Sequence, residues 1–337
     1  KSIKFINEEK AKELKYHSFV SGDIALAKIG IPIGKTCIIP NHFKSGIITA
    51  DIVRIRPDKK IVDYKFLEYF LNTDLSVSQL TGNISGATRP RVNLSDVRNI
   101  EIALPPFAEQ QRIVAILDEV FAAIAKAKAN AEQNLKNAKE LFESYLQGVF
   151  SSGNWKTKII EEVCVELFAG GDVPKDNFSK EKNEKYKIPI IANAVKDNGL
   201  YGYTDNARVT KSSITIAARG SGTGHTEIRS GAYFPIVRLI VLIPNESLIT
   251  LEFLKYSIDT LEILRSGSAI PQLTIPMIKE YNIPVPPLKE QQAIVKKLDA
   301  LSAETKKLEA IYHKKTEDLE ELKKGVLGKA FRGELSE

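Results

Sequence analysis

The chain has 337 residues, long enough for two domains with separate cores, and its 43% hydrophobic and 27% charged content is that of an ordinary globular protein. Lys and Arg number 48 against 42 for Asp and Glu, a net +6 that leans toward a polyanionic partner without requiring one. Two cysteines, Cys37 and Cys164, exclude a disulfide framework and a thiolate zinc site, and the longest apolar runs, such as 239–243, are far too short to span a membrane. No secretory leader is visible, so a cytoplasmic location is expected.

Strand-like segments come first in chain order, at 22–28 and 53–55, followed by a short helix through Phe66-Leu67-Glu68-Tyr69. A loop of small residues follows, Ser85-Gly86-Ala87-Thr88-Arg89-Pro90-Arg91, and then Pro105-Pro106, which stops one segment and opens a helix. That helix carries Leu117, Phe121, Ile124, Lys128, Ala131, Leu135, Ala138, Phe142, Tyr145 and Val149, spaced alternately by four and three. Such spacing is a heptad seam, here with one polar interruption. After a short link at 150–154 the whole order recurs. Strands are expected at 213–219 and 239–243, a short helix at Phe253-Leu254-Lys255-Tyr256, and a loop at Ser266-Gly267-Ser268-Ala269-Ile270-Pro271-Gln272. Pro286-Pro287 then opens a second seam of Leu298, Leu301, Thr305, Leu308, Tyr312, Lys315, Leu319, Leu322 and Val326.

The two copies run in register at an offset of 181, matching Gly86 with Gly267, Pro90 with Pro271, Gln110-Gln111 with Gln291-Gln292, and Asp118 with Asp299. Solenoid repeats have periods of about 20–50 residues, so this is a duplicated domain. The expected fold class is α+β: two similar globular heads joined by two long antiparallel coiled-coil helices, an internal duplication with pseudo-two-fold symmetry. The expected boundaries are 1–104 for the first head, 105–151 for its helix, 152–285 for the second head and 286–337 for the second helix. The second head opens near Trp155, and the first lacks a counterpart of its opening forty or so residues, so the first is expected to be N-terminally incomplete.

Connectivity gives the helix orientation. The second head follows directly on the far end of the first helix and then feeds the second helix. Parallel helices would force that head back along about 50 Å at 1.5 Å per residue, whereas antiparallel helices need no return.

Several motifs fail on inspection. Gly30-Ile31-Pro32-Ile33-Gly34-Lys35-Thr36 has one residue too few between its glycines for a phosphate loop and runs into a strand rather than a helix. It and the segment from Gly220 to Thr226 read as glycine-rich hairpin turns. Leu104-Pro105-Pro106-Phe107 and Val285-Pro286-Pro287-Leu288 begin with side chains that cannot hydrogen-bond an exocyclic amine, so neither suits an amino-methyltransferase. The histidines, His17, His42, His225 and His313, have no metal-ligand spacing, and no nucleophile is paired with a base. A non-catalytic chain without a metal is expected.

What recurs is a pair of loops with hydrogen-bond donors. Arg89, Arg91 and Gln272 sit where small residues allow close backbone approach, and Arg and Gln are natural readers of guanine and adenine edges. The hairpins carry Lys28, Lys35, Arg219 and His225, which suit phosphate contacts or a solvated surface. Tyr201 and Tyr203 alternate with glycine and suit the core or base stacking.

The Pro-Pro step, the Glu-Gln-Gln of Glu109-Gln110-Gln111 and Glu290-Gln291-Gln292, the Ile-Val and Leu-Asp that follow, and a heptad helix after each copy resemble the DNA specificity subunit of type I restriction–modification enzymes. Trp155 at the head of the second copy and the closing run from Lys324 to Leu335 share in the likeness, which covers essentially the whole chain. The resemblance implies two target recognition domains, each reading one half of a split site on double-stranded DNA. It implies helices that act as a ruler and dock two methyltransferase subunits, through the seam residues Leu117, Phe121, Ile124, Leu135, Phe142, Leu298, Leu301, Leu308, Leu319 and Leu322. It places S-adenosylmethionine on those partners, adds a restriction subunit, and leaves this chain with no catalytic residue and no cofactor. Two other readings fit the residues: a coiled-coil scaffold for proteins, and the recognition region of a fused methylase–nuclease.

Overall fold

The computed structural model describes residues 5–30, 33–82, 91–193, 195–220, 222–262 and 272–335. In chain order its elements are α1 (Glu8–Glu13), β1 (Ser18–Val20), β2 (Ile24–Ala27), β3 (Thr36–Ile38), β4 (Ser45–Ile47), β5 (Ile52–Ile55), α2 (Tyr64–Leu71), α3 (Asp74–Thr81), α4 (Leu94–Arg98) and the long α5 (Phe107–Ser152). There follow β6 (Thr157–Ile159), α6 (Ile160–Val163), β7 (Cys164–Ala169), β8 (Ile188–Ile191), β9 (Leu200–Thr204), β10 (Ser213–Ile216), β11 (Thr226–Arg229), β12 (Phe234–Pro235), β13 (Ile240–Pro244), α7 (Leu251–Asp259), α8 (Ile275–Ile278), β14 (Asn282–Pro284) and the long α9 (Leu288–Phe331). Two compact units emerge, residues 1–134 with 311–337 and residues 135–310, each holding one head with part of both long helices.

In the first unit β2 is the middle strand of an antiparallel sheet, β3-β2-β5, beside a small β1–β4 ladder. Ile24 and Leu26 of β2 are fully buried while Ala25 and Ala27 are half-buried, the two-residue period of a strand with one face on a core. Asp63 caps α2 by accepting from the Lys65 and Phe66 N–H groups, and α2 buries Phe66, Phe70 and Leu71. Phe66 lies in one cluster with Ile113, Val114 and Leu117 of α5 and Leu327 and Ala330 of α9, so the head is built onto the start of one long helix and the end of the other. Lys323 lies over the Phe121 ring and Lys128 pairs with Glu320 at 2.5 Å. As numbers rise along α5 its partners' numbers fall along α9, so the helices run antiparallel here.

The second unit repeats the plan with more strands. Its main sheet is β11-β10-β13-β7, joined by a β12-β8-β9 sheet and a β14–β6 ladder. Strand β13 is buried along its whole length, as a strand covered on both faces must be, which is why 239–243 reads as an unbroken apolar run. Phe253, Leu254 and Ile258 of α7 pack on Ile214, Ile216, Ile240 and Leu242. Phe150 of α5 and Ile294 and Val295 of α9 pack on the same cluster, and Lys139 lies 4.0 Å from Glu309. This unit, too, contains an antiparallel helix pair. Among the described residues, β7 has no counterpart strand beside β5 in the first unit.

Both glycine-rich segments are flanked by antiparallel hairpin strands, β2–β3 and β10–β11. They close alike: Gly34 N–H donates to Ala27 O and Ala27 N–H to Lys35 O, while Gly224 N–H donates to Ala217 O and Ala217 N–H to His225 O. Gly34 has a φ of +76° and no room for a Cβ, which would lie 2.6 Å from Leu80 Cδ1.

The heptad spacing persists along both helices: Phe121, Lys128, Leu135, Phe142 and Val149 on α5, and Leu298, Thr305, Tyr312, Leu319 and Val326 on α9, are all buried or half-buried. Leu117, Ile124, Ala131 and Ala138 are buried, but further on Leu146 is buried and Tyr145 exposed. On α9, Leu298 and Thr305 are buried, whereas Leu308 and Leu322, at the alternate heptad position, are 40% and 51% exposed.

Candidate nucleic-acid interface

The repeated Glu-Gln-Gln motif has a structural use. Gln110, 1% exposed, accepts from the Asp63 N–H at 2.8 Å and donates to Ile61 O and Pro105 O at 3.1 and 2.9 Å. Gln291, fully buried, accepts from the Thr250 N–H and donates to Leu248 O and Pro286 O, each at 2.8 Å. Each glutamine thus ties the loop before the head's short helix to the Pro-Pro entry of the long helix, satisfying backbone groups that burial would otherwise orphan. About two turns further along each long helix, Tyr69 and Tyr256 donate to Asp118 and Asp299, at 2.5 and 2.7 Å. In the first head Lys65 adds a 2.6 Å ion pair to Asp118. Burial works to raise the Asp118 carboxyl's pKa, but the Lys65 and Tyr69 hydrogen bonds outweigh it and hold it below the usual range. These clamps fix each head to its helix.

The candidate contact residues fall into separate groups. In the first head Lys28 and Arg91 meet at the turn before β5. Lys28 Nζ donates to Ala50 O at 3.1 Å, Arg91 lies 3.3 Å from Asp51, and the Val92 N–H donates to Lys28 O. Lys35 is exposed on the hairpin. Arg89 lies outside the described residues. In the second head Arg219 and Gln272 meet: Arg219 Nε and Nη2 both donate to Gln272 Oε1, at 3.2 and 2.8 Å. The hairpin and the loop are joined there as in the first head, with the Leu273 N–H on Ala218 O matching Val92 on Lys28.

His225 is not part of that group. Its ring lies 3.1 Å from Glu227, in a hollow of about 400 Å3 that Phe142, Leu146 and Asp259 also line. Tyr201 and Tyr203 are on β9, half-buried. Lys180 Nζ sits 3.3 Å from the Tyr201 ring centroid, a cation–π contact on one face of the ring.

The sequence reading missed the residues around Arg219. A cleft of about 580 Å3 is lined by residues 169–173 at the end of β7, by Arg219, and by Val237 and Arg238. Val237 and Arg238 both adopt left-handed backbone, φ 55° and 60°, a region that a β-branched residue rarely enters. Their N–H groups donate to Gly171 O and Gly170 O, and Asn193 holds the turn from the other side, donating to Val237 O and accepting from Ala218 N–H. Gly170 is obligatory here: a Cβ would lie 2.7 Å from the Pro235 carbonyl. Arg208 lies over the Phe168 ring at 4.4 Å, beside the same glycines. The one signal in the sequence is Arg238 itself, a charge interrupting the apolar run 234–243. Among the described residues no cluster of His, Cys, Asp and Glu could hold a metal, and no helix is long and apolar enough to cross a membrane.

Two heads of one design, each clamped to a long helix and carrying cationic loops, define a duplicated recognition protein. The family model for the type I restriction modification DNA specificity domain matches twice, at residues 2–136 and 152–317, and the chain belongs to that family. Over 233 residues it is 30% identical to a Mycoplasma pneumoniae protein described as type I specificity subunit S.MpnORF507P, covering 69% of this chain and 62% of that one. The chain therefore spans less than two thirds of that relative's length. It is 34% identical over 239 residues to S.MpnORF89P of the same organism, covering 67% of this chain and 69% of the relative. A solved structure from work on the assembly and conformational transition of the type I R-M system superposes with a TM-score of 0.84 at 25% identity, over 94% of this chain and 83% of that one.

Proposed function

We propose that the protein is the non-catalytic, DNA-reading subunit of a type I restriction–modification complex. Each head contacts one half of a split site on double-stranded DNA, and the antiparallel helices set the gap between the halves. The helices also dock two methyltransferase subunits, which carry S-adenosylmethionine, and a restriction subunit joins them to cleave. A cytoplasmic location follows from such a role. The observation that carries this reading is the double family match on two copies that share one hairpin and one glutamine clamp yet present different residues at the loop tips. A shared frame with divergent tips is what reading two different half-sites requires. Apolar side chains left exposed on the long helices, Leu141, Tyr145 and Leu308 in one unit and Ile311 and Leu322 in the other, are available to partner subunits.

Co-expression with the modification subunit of the same system tests this. The expected result is a stable complex that transfers methyl groups from S-adenosylmethionine to DNA only when this chain is present. Failure to form a complex, or methylation that does not depend on the chain, would contradict it.

A further inference from the structure

The rim of the cleft in the second head has a particular hydrogen-bonding character. Gln272 on its own could read adenine, because an amide offers one acceptor and one donor to N6 and N7. Here its Oε1 already accepts two N–H groups from Arg219, which also determines that the amide N–H groups point away from Arg219. The pair therefore offers donors to a ligand. Arg238 is exposed at the same cleft with no acidic partner among the described residues, and its backbone is held in place by Gly170, Gly171 and Asn193 through Val237. Adjacent donors suit an edge that presents adjacent acceptors. In the major groove that edge is guanine, with N7 and O6, while the carboxylate of Asp172 on the same rim suits the N4 amino group of the paired cytosine.

We propose that the second head reads a G·C pair of its half-site through Arg238 and the Arg219–Gln272 pair. This rests on the DNA-reading role proposed above and adds the base class and the residues that read it. The held turn gives Arg238 a fixed origin, so its guanidinium reaches the groove with little backbone freedom to lose.

The test uses the complex with its modification subunits, bound to duplexes that carry the methylated site and to scrambled duplexes, with affinity read by fluorescence anisotropy. Guanines of both half-sites are replaced one at a time by 7-deazaguanine, which removes the N7 acceptor and keeps base pairing. The wild-type complex is expected to lose about 10- to 100-fold at one such guanine. Arg238→Ala or Arg219→Ala should lose a similar factor on ordinary DNA and nothing further on the duplex with that guanine replaced. Thermal melting of each variant checks that the exposed substitution leaves the fold intact. The inference is overturned if no guanine shows this coupling, or if the variants weaken specific and scrambled duplexes alike, which marks phosphate contacts. A wild-type complex that binds both duplexes equally would overturn the DNA-reading role and this inference with it.

Discussion

Gln110 and Gln291, in different heads, make the same set of contacts: each accepts from the N–H at the start of a short helix and donates to a carbonyl before that helix and to the first carbonyl of a Pro-Pro step. The match is backbone for backbone, so the motif is kept in both copies for assembly of head on helix rather than for contact with a ligand. Replacing either glutamine by alanine leaves buried N–H and C=O groups unpaired. We expect a loss of stability of about 1–3 kcal/mol for each, measured by denaturant unfolding, with Gln→Glu intermediate because a carboxylate still accepts but no longer donates.

Part of the acid sensitivity should come from Asp23. Burial of its side chain works to raise its pKa, yet the Arg56 hydrogen bonds at 2.7 and 2.6 Å and the Val20 N–H outweigh this and hold it below the usual carboxylate value. A carboxyl whose folded pKa is depressed adds stability above its unfolded value, near pH 4, and that stability disappears as pH falls through the folded pKa. Melting temperature should therefore drop below about pH 4, and Asp23→Asn should be less stable at neutral pH with a shallower acid slope.

Gly170→Ala should disrupt the second head's rim without touching DNA. Its Cβ would meet the Pro235 carbonyl and Ile236 N at 2.7 and 2.8 Å, forcing the 237–238 turn away from β7. A cost of about 1–3 kcal/mol is expected for such overpacking, along with loss of binding to one half-site only. Gly171→Ala, whose Cβ meets nothing closer than Arg208 Nη1 at 3.7 Å, is the control for an added methyl group on the same rim.

The gap-setting role makes a geometric prediction. Adding four residues to both α5 and α9, between the Lys128–Glu320 and Lys139–Glu309 pairs, lengthens each helix by about 6 Å. At about 3.4 Å per base pair the methylated gap should widen by roughly two base pairs, with both half-sites unchanged. Methylation-site sequencing of such a variant with an unaltered gap would rule the role out.

Much of the architecture was legible in the sequence because its signals are local or repeated. The duplication, the hairpins around Gly34 and Gly224, the short helices at Phe66 and Phe253 and the long helices all rest on periodicity or spacing. Less of the interface was legible. Arg219 and Gln272 stood out as donors, but the donation of Arg219 to Gln272 Oε1 joins chain segments 53 residues apart. Arg238 was hidden inside a strand pattern, since nothing local announces a left-handed Val-Arg step held by Gly170 and Gly171.

The central claim is that two heads read two different half-sites. Sequencing the methylome of cells that carry this chain with its modification subunit tests it most directly. The account predicts a split, asymmetric motif with adenine modified in each half and a fixed gap between them. A contiguous or palindromic motif, or a motif with only one defined half, would contradict it.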